Sequence, residues 1–400
     1  MWIIYIMLFL STWSTHINCQ TNIFNVTDYG AISGGKTDNN QAFLDTWKKV
    51  CETSGGVFLV PLGTYLVSGS LFEGPCNGQT TVTINGILIA SPDVTLVVEY
   101  WIGFQNIADL TIIGNGMLDG NGAASWVRSC KDLSTCKLPP ISLTFNNVSN
   151  VLIQDIKSAN SKMFHMKVHE SRNVTLNNVS ISAPADSPNT DGVHISHSTN
   201  ITISNLQVAT GDDCVSIGEG SSNVNISGVF CGPGHGISIG SLGKYEGEQD
   251  VSLINVMNCT LTNTTNGIRI KTYAPSPPSS AHDITFQHIL MDGVYNPIII
   301  DQHYCPKHKS CSKGESNVEI KSVKFIDVRG SSATSIGVKL DCSQSKPCQD
   351  IQLSGVNLSI EGQSTTASCI NVNYKFLEPN QVPSSCSAPV TLQDKIDTSM

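Results

Sequence analysis

Between Asn189 and Lys271 one short pattern recurs four times. It reads Asn189-Thr190-Asp191-Gly192-Val193-His194-Ile195, then Gly211-Asp212-Asp213-Cys214-Val215-Ser216-Ile217, then Gly234-His235-Gly236-Ile237-Ser238-Ile239, then Asn266-Gly267-Ile268-Arg269-Ile270-Lys271. The first three copies begin roughly 22 residues apart and the fourth later, a period in the range of solenoid coils. Four copies of one strand, laid side by side, satisfy that pattern.

Aligning the copies on Ile195, Ile217, Ile239 and Ile270 sets Asp191, Asp213, His235 and Asn266 at one rung, with Val193, Val215, Ile237 and Ile268 two residues later. Side chains alternate faces along a strand, so the aliphatic pair of each copy points inward. The opposite face receives His194, Ser216, Ser238 and Arg269, then Ser196, Gly218, Gly240 and Lys271. At a strand spacing of about 4.8 Å, the rung from Asp191 to His235 covers about 10 Å, room for one or two sugar rings. Adjacent Asp212 and Asp213 cannot both leave a regular strand on the same side, which predicts a local bend there, held by a Cys214–Cys231 bridge.

Outside the core motif, β-branched segments continue the frame: Leu110–Ile113, Val151–Ile153, Val174–Leu176, Ile201–Ile203, Val224–Ile226, Val251–Leu253, Ile284–Phe286, Val318–Ile320 and Ile351–Leu353. The changing interval between them means loops of different length on a constant coil. Near the N-terminus, Thr37-Asp38-Asn39-Asn40 can cap a helix in which Phe43, Trp47, Val50 and Cys51 share one face. A solenoid grows by adding coils, so residues 20–400 read as one domain. Flexibility is expected around Ser276-Pro277-Pro278-Ser279-Ser280 and after Cys386.

The segment 1–19 carries an apolar run, Trp2–Leu10, of the length of a secretory signal and too short to span a bilayer. With 14 cysteines and no Cys-x-x-Cys pair, disulfides are favoured over zinc. The spacing suggests Cys51–Cys76, Cys130–Cys136, Cys214–Cys231, Cys305–Cys311, Cys342–Cys348 and Cys369–Cys386, leaving Cys259 as a buried free thiol. Asn-x-Ser/Thr sequons at Asn25, Asn147, Asn173, Asn178, Asn200, Asn225, Asn258, Asn263 and Asn357 agree with a secreted, glycosylated protein of the extracellular space or cell wall. Where a sequon opens a strand, as at Asn173 and Asn200, a stacked amide ladder is the competing use of the side chain. The formal net charge of -9 excludes a globally basic nucleic-acid binder.

The ordered set Asn-Thr-Asp, Gly-Asp-Asp, Gly-His-Gly and Arg-Ile-Lys resembles the polygalacturonases of glycoside hydrolase family 28. The likeness runs from about Phe24 to Cys386. The flanking Ala183-Pro184-Ala185-Asp186-Ser187-Pro188 and Cys231-Gly232-Pro233-Gly234 most resemble the plant pollen-type exopolygalacturonases. The resemblance implies an all-β fold: a right-handed single-stranded parallel β-helix, a pectin-lyase-like solenoid, whose N-terminal end is closed by a short helix. It also implies inverting hydrolysis of α-1,4-galacturonosyl bonds in pectin or polygalacturonate, exo-acting, with endo action, a pectate lyase or a non-catalytic pectin-binding wall protein as rival readings.

By the same resemblance Asp212 is the general acid, while Asp191 and Asp213 hold and deprotonate the water. Crowding by two other carboxyls would keep the proton on Asp212 and leave the outer two ionised. His235 orients the acid, and His194 faces the same wall. Arg269 and Lys271 are expected to clamp a galacturonate carboxylate, with Tyr304 touching substrate. Trp126 and Tyr273 are further aromatic positions. Inversion predicts a gap between Asp212 and Asp191 or Asp213 wide enough for water and sugar. No cofactor or metal is expected. The partner is the polysaccharide alone, met by a monomer with no nucleic acid and, in the mature form, no membrane.

Overall fold

The computed structural model describes residues 22–93, 99–126, 138–306 and 313–387. The expected leader, the Cys130–Cys136 pair, Cys311 and nearly all of the tail after Cys386 lie outside those residues. The described chain winds as a right-handed parallel β-helix. Each coil contributes strands to three stacks. One stack forms a 12-stranded sheet containing Met166–His169, Val193–Ser196, Val215–Ile217, Ile237–Leu242, Asn266–Tyr273 and Asn296–Tyr304 as successive neighbours. The other two stacks join into a 22-stranded sheet, because the long strands Val251–Thr262, Ser279–Val294 and Val318–Ser332 run through both.

The register of the 12-stranded sheet is the one that the sequence pattern requires. Val193 pairs with Val215, Val215 with Ile237 and Ile237 with Ile268. His194, Ser216, Ser238 and Arg269 form the next row, and Ile195, Ile217, Ile239 and Ile270 the third. The two aliphatic rows are fully buried. A one-residue slip would expose both rows at once, so burial fixes the register. Aromatic rings follow the same rule, as the paired Phe286 and Phe325 stack at 5.4 Å.

Helix Asn40–Glu52 lays Phe43, Trp47 and Val50 on the open first coil. Trp47 packs on Phe72 and Phe104 at 5.1 and 5.8 Å, and its indole donates to the Glu73 carbonyl at 3.0 Å. This covers a strand edge that would otherwise pair with another chain. The cap differs from the expectation in detail. Asn39 occupies the cap position but spends its amide on Thr37 and Leu66, and the Asp38 carboxylate receives the Asn40 N–H at 3.2 Å.

At one set of turns, Asp109, Asn150, Asn173, Asn200 and Asn223 stack in order, each Asn amide donating to the preceding side chain at 2.6–3.0 Å. All five have φ between 51° and 57°, a left-handed conformation that Asn tolerates better than most residues. The sequons at Asn173 and Asn200 therefore serve the ladder.

Four expected disulfides are present, Cys51–Cys76, Cys214–Cys231, Cys342–Cys348 and Cys369–Cys386, and Cys259 is a buried free cysteine. Cys305 is bonded as well. The segment Ser276–Ser280 is not the loose stretch that its composition suggests. Ser276 is buried, bonds the Ser316 hydroxyl at 3.2 Å and accepts from the Asn317 N–H at 2.8 Å, and its carbonyl accepts from the Asn317 side chain. Proline and serine here shape a tied crossing between coils.

Candidate active site

The outer face of the 12-stranded sheet gathers the candidates around its middle strands. The chain bends at Gly211–Asp213, and the strand begins only at Val215. The bend lets both carboxyls reach the outer side, as the sequence requires. Asp212 accepts the backbone N–H of Asp213 at 2.8 Å, and the Cys214–Cys231 bridge ties the bend to the next coil. In the coil above, Gly236 has φ +88°, and a Cβ there would strike the carbonyls of Asn266 and Gly267. Only glycine lets the His235 turn lie this close to its neighbour.

Asp213 is almost fully buried and held by three side chains. Arg269 donates to Oδ1 at 2.7 Å, Lys271 to Oδ2 at 2.7 Å and the Ser238 hydroxyl to Oδ1 at 2.9 Å. Arg269 also donates to Ser238 at 3.0 Å, closing a small ring of bonds. Burial by itself would raise the carboxyl's pKa, but Lys271 and Arg269 overcome it and hold Asp213 below the ordinary carboxylate range. These contacts favour its ionised form.

Asp191 is in the opposite condition. Burial first, then repulsion from Asp212 and Asp213, pushes its carboxyl well above the usual range, against the Ser216 bond and the more distant Lys271. The sequence reading left Asp191 ionised. The structure corrects this, because both cations are engaged on Asp213 and Asp191 has only a hydroxyl, Ser216 Oγ at 2.7 Å. Ser216 Oγ also lies 2.8 Å from Nδ1 of His194, linking the ring to Asp191 through one hydroxyl. His194 stays neutral, its pKa pushed down to about 3 by burial and then by Lys167 and Lys271. It reaches Asp191 through Ser216.

Asp212 and His235 face the open side, with side chains 20% and 39% exposed, and Asp212 Oδ1 lies 3.0 Å from His235 Nδ1. Those groups and Asp213 each place one atom within 4.8 Å of the others. Two carboxylates and an imidazole could ligate a cation in principle. Here both Asp213 oxygens are bonded to cationic side chains and His235 Nδ1 is turned to Asp212, so the donor set fits a metal poorly. One oxygen each of Asp212 and Asp213 thus lies within 4.8 Å of the other, a closer approach than the roughly 6.5–9.5 Å carboxyl separation associated with inversion.

Tyr304 closes one side. Its ring lies 5.2 Å from Lys271 Nζ and 5.8 Å from Arg269 Cζ, and Tyr273 packs on it at 5.7 Å. All the predicted site residues therefore share one wall. Trp126 stands apart from this network, donating to the Ser161 carbonyl at 3.0 Å. Ser216 and Ser238 carry roles that were not assigned from sequence, although their row position already put them on the outer face.

The model of the glycosyl hydrolases family 28 matches residues 51–386. An exopolygalacturonase of Arabidopsis thaliana is 44% identical over 86% of this chain and 80% of its own length. An exopolygalacturonase of Platanus acerifolia is 41% identical over 92% of this chain and 98% of its own. Among solved structures, an endo-xylogalacturonan hydrolase from Aspergillus tubingensis superposes with TM-score 0.80 at 24% identity, covering 92% of this chain and all of its own.

Proposed function

The chain belongs to glycoside hydrolase family 28, and from that premise we propose that it hydrolyses α-1,4 bonds between galacturonates in pectin or polygalacturonate, with inversion and from the chain end. The observation that carries the reading is Asp213, an ionised carboxylate gripped by Arg269 and Lys271 beside the Asp212–His235 pair. Glycoside hydrolysis needs one group to protonate the leaving oxygen and another to activate water. Asp212, exposed to the cleft and bonded to His235, is assigned the acid. Asp213 is assigned the base. Asp191, carrying its proton, orients the water by hydrogen bonding.

Arg269 and Lys271 have a double duty in this scheme. They keep Asp213 charged, and with Tyr304 they offer a cationic, aromatic platform to a uronate carboxylate. Exo action rests on the plant relatives named exopolygalacturonase, and the loop beyond Leu242 is the segment assigned to close the cleft. There the Glu248 carboxylate accepts the backbone N–H groups of Gly243, Lys244 and Tyr245. The expected setting is a secreted monomer in the cell wall, with intact disulfides.

Incubation with polygalacturonate plus a calcium chelator tests the reaction class. New reducing ends without an ultraviolet-absorbing unsaturated product are expected, with galacturonate as the first small product. Chelator-sensitive absorbance would mean elimination instead. Proton NMR of fresh product tests stereochemistry, which the short Asp212–Asp213 approach makes the more pointed question: the β anomer is expected first.

A further inference from the structure

The wall does not stop at Asp191. The preceding strand, Met166–His169, pairs in register with Val193–Ser196, placing Met166 opposite Val193 and Lys167 opposite His194. Two residues before Met166, Phe164 therefore takes the rung of Asp191, and the His165 N–H bond to the Asp191 carbonyl, 2.8 Å, holds it there. The row Asp191, Asp213, His235 continues as Phe164, and the row His194, Ser216, Ser238, Arg269 continues as Lys167.

Phe164 is only partly buried, and its ring stacks on His194 with centroids 4.9 Å apart. Lys167 is 20% exposed, and its one ion pair is loose: Glu99, itself 72% exposed, at 3.5 Å. Such a pair contributes little, and an incoming anion can replace it. With His194 neutral, Lys167 supplies a positive charge to this corner. On the other side of the carboxylates, Lys271 lies over Tyr304. A cation beside an aromatic ring thus flanks the three aspartates at both ends, and so far only one of these has a role.

We propose that Phe164, His194 and Lys167 form a further uronate subsite on the N-terminal side of the cleaved bond, the stacked rings against the sugar face and Lys167 on its carboxylate. This rests on the galacturonan reading given above. Lys167 stands two strand spacings, about 10 Å, from the Ser216 level. That distance reaches a sugar beyond those lying over the carboxylates, so the subsite rewards longer substrates.

The test compares kcat/KM for di-, tri- and tetragalacturonate in the wild type, Lys167→Met and Lys167→Arg. The ratio of the longer substrates to the dimer should fall about tenfold in Lys167→Met, mainly through KM, and return largely in Lys167→Arg. A ratio unchanged in Lys167→Met overturns the subsite, as does an equal loss at every length, which would mark a structural role. Calorimetric titration of the wild type and Lys167→Met with trigalacturonate separates the two readings. Binding that weakens in the variant, in a protein that releases no reducing ends, would sink the reaction reading and keep the subsite. Normal cleavage with unaltered trimer binding would sink the subsite alone.

Discussion

The same parallel stacking produces two very different columns of side chains. At one set of turns it aligns Asp109 with four asparagines, whose amides donate and accept along the column. On the outer wall it aligns Asp191 with Asp213 and brings Asp212 alongside. An amide carries both a donor and an acceptor, so a stack of amides satisfies itself. A carboxylate only accepts, and a stack of carboxylates must recruit protons or cations. Here Arg269 and Lys271 go to one member, while burial and the neighbouring carboxyls raise the pKa of another and favour its protonated form. The ladder stabilises the coil; the wall holds unequal protonation states within a few ångströms, which is what acid and base chemistry requires.

The largest effect should follow from breaking the wall at its exposed acid. Asp212→Asn keeps the shape and removes the transferable proton, so turnover should fall by at least about two orders of magnitude while oligogalacturonate still binds. Initial rates and equilibrium binding check this together, and near-normal turnover would reassign the acid.

Removing a cation should come next. Lys271→Ala leaves Asp213 with Arg269 and Ser238 and so raises the pKa of a carboxyl that Lys271 now helps to depress. The sign is definite: a base whose pKa rises is protonated at higher pH, and the acidic limb of the kcat profile moves upward. We expect a loss of about 10–100-fold near neutrality, in both kcat and KM. A change in KM with an unmoved pH limb would make Lys271 a binding group only.

The smallest effect belongs to the ladder. Asn150→Ala removes an amide that links Asp109 to Asn173 and forces alanine to φ 55°. The expected loss of stability is about 1–2 kcal/mol, smaller in Asn150→Gly because glycine accepts the backbone conformation. Thermal unfolding measures it, and kcat should be unchanged. A ladder break that lowered kcat would mean the two columns are coupled.

Much of this was legible before any coordinates. Val193, Ile195 and their equivalents repeat with the period of a coil and the alternation of a strand, so the register and the inner and outer faces follow from the sequence. The bend at Asp212–Asp213 was legible too, since two adjacent outward carboxyls conflict with the pleat. Ser276–Ser280 misled because proline and serine mark irregular backbone, and irregular backbone is not the same as unbonded backbone. Phe164 was missed because its strand lacks the flanking motif and shows its place only through pairing with Val193–Ser196.

Sequence by itself determined which side chains share a row, because a row in a solenoid is a matter of counting residues along the chain. It could not determine which carboxyl keeps its proton. Counting along the chain left Asp191 and Asp213 alike; the structure raises the pKa of Asp191 and lowers that of Asp213. The deciding quantities are burial and the reach of Arg269 and Lys271 across 56 and 58 residues of sequence to the same carboxylate. Desolvation and Coulomb attraction depend on distance in space, and only the folded coils supply that distance.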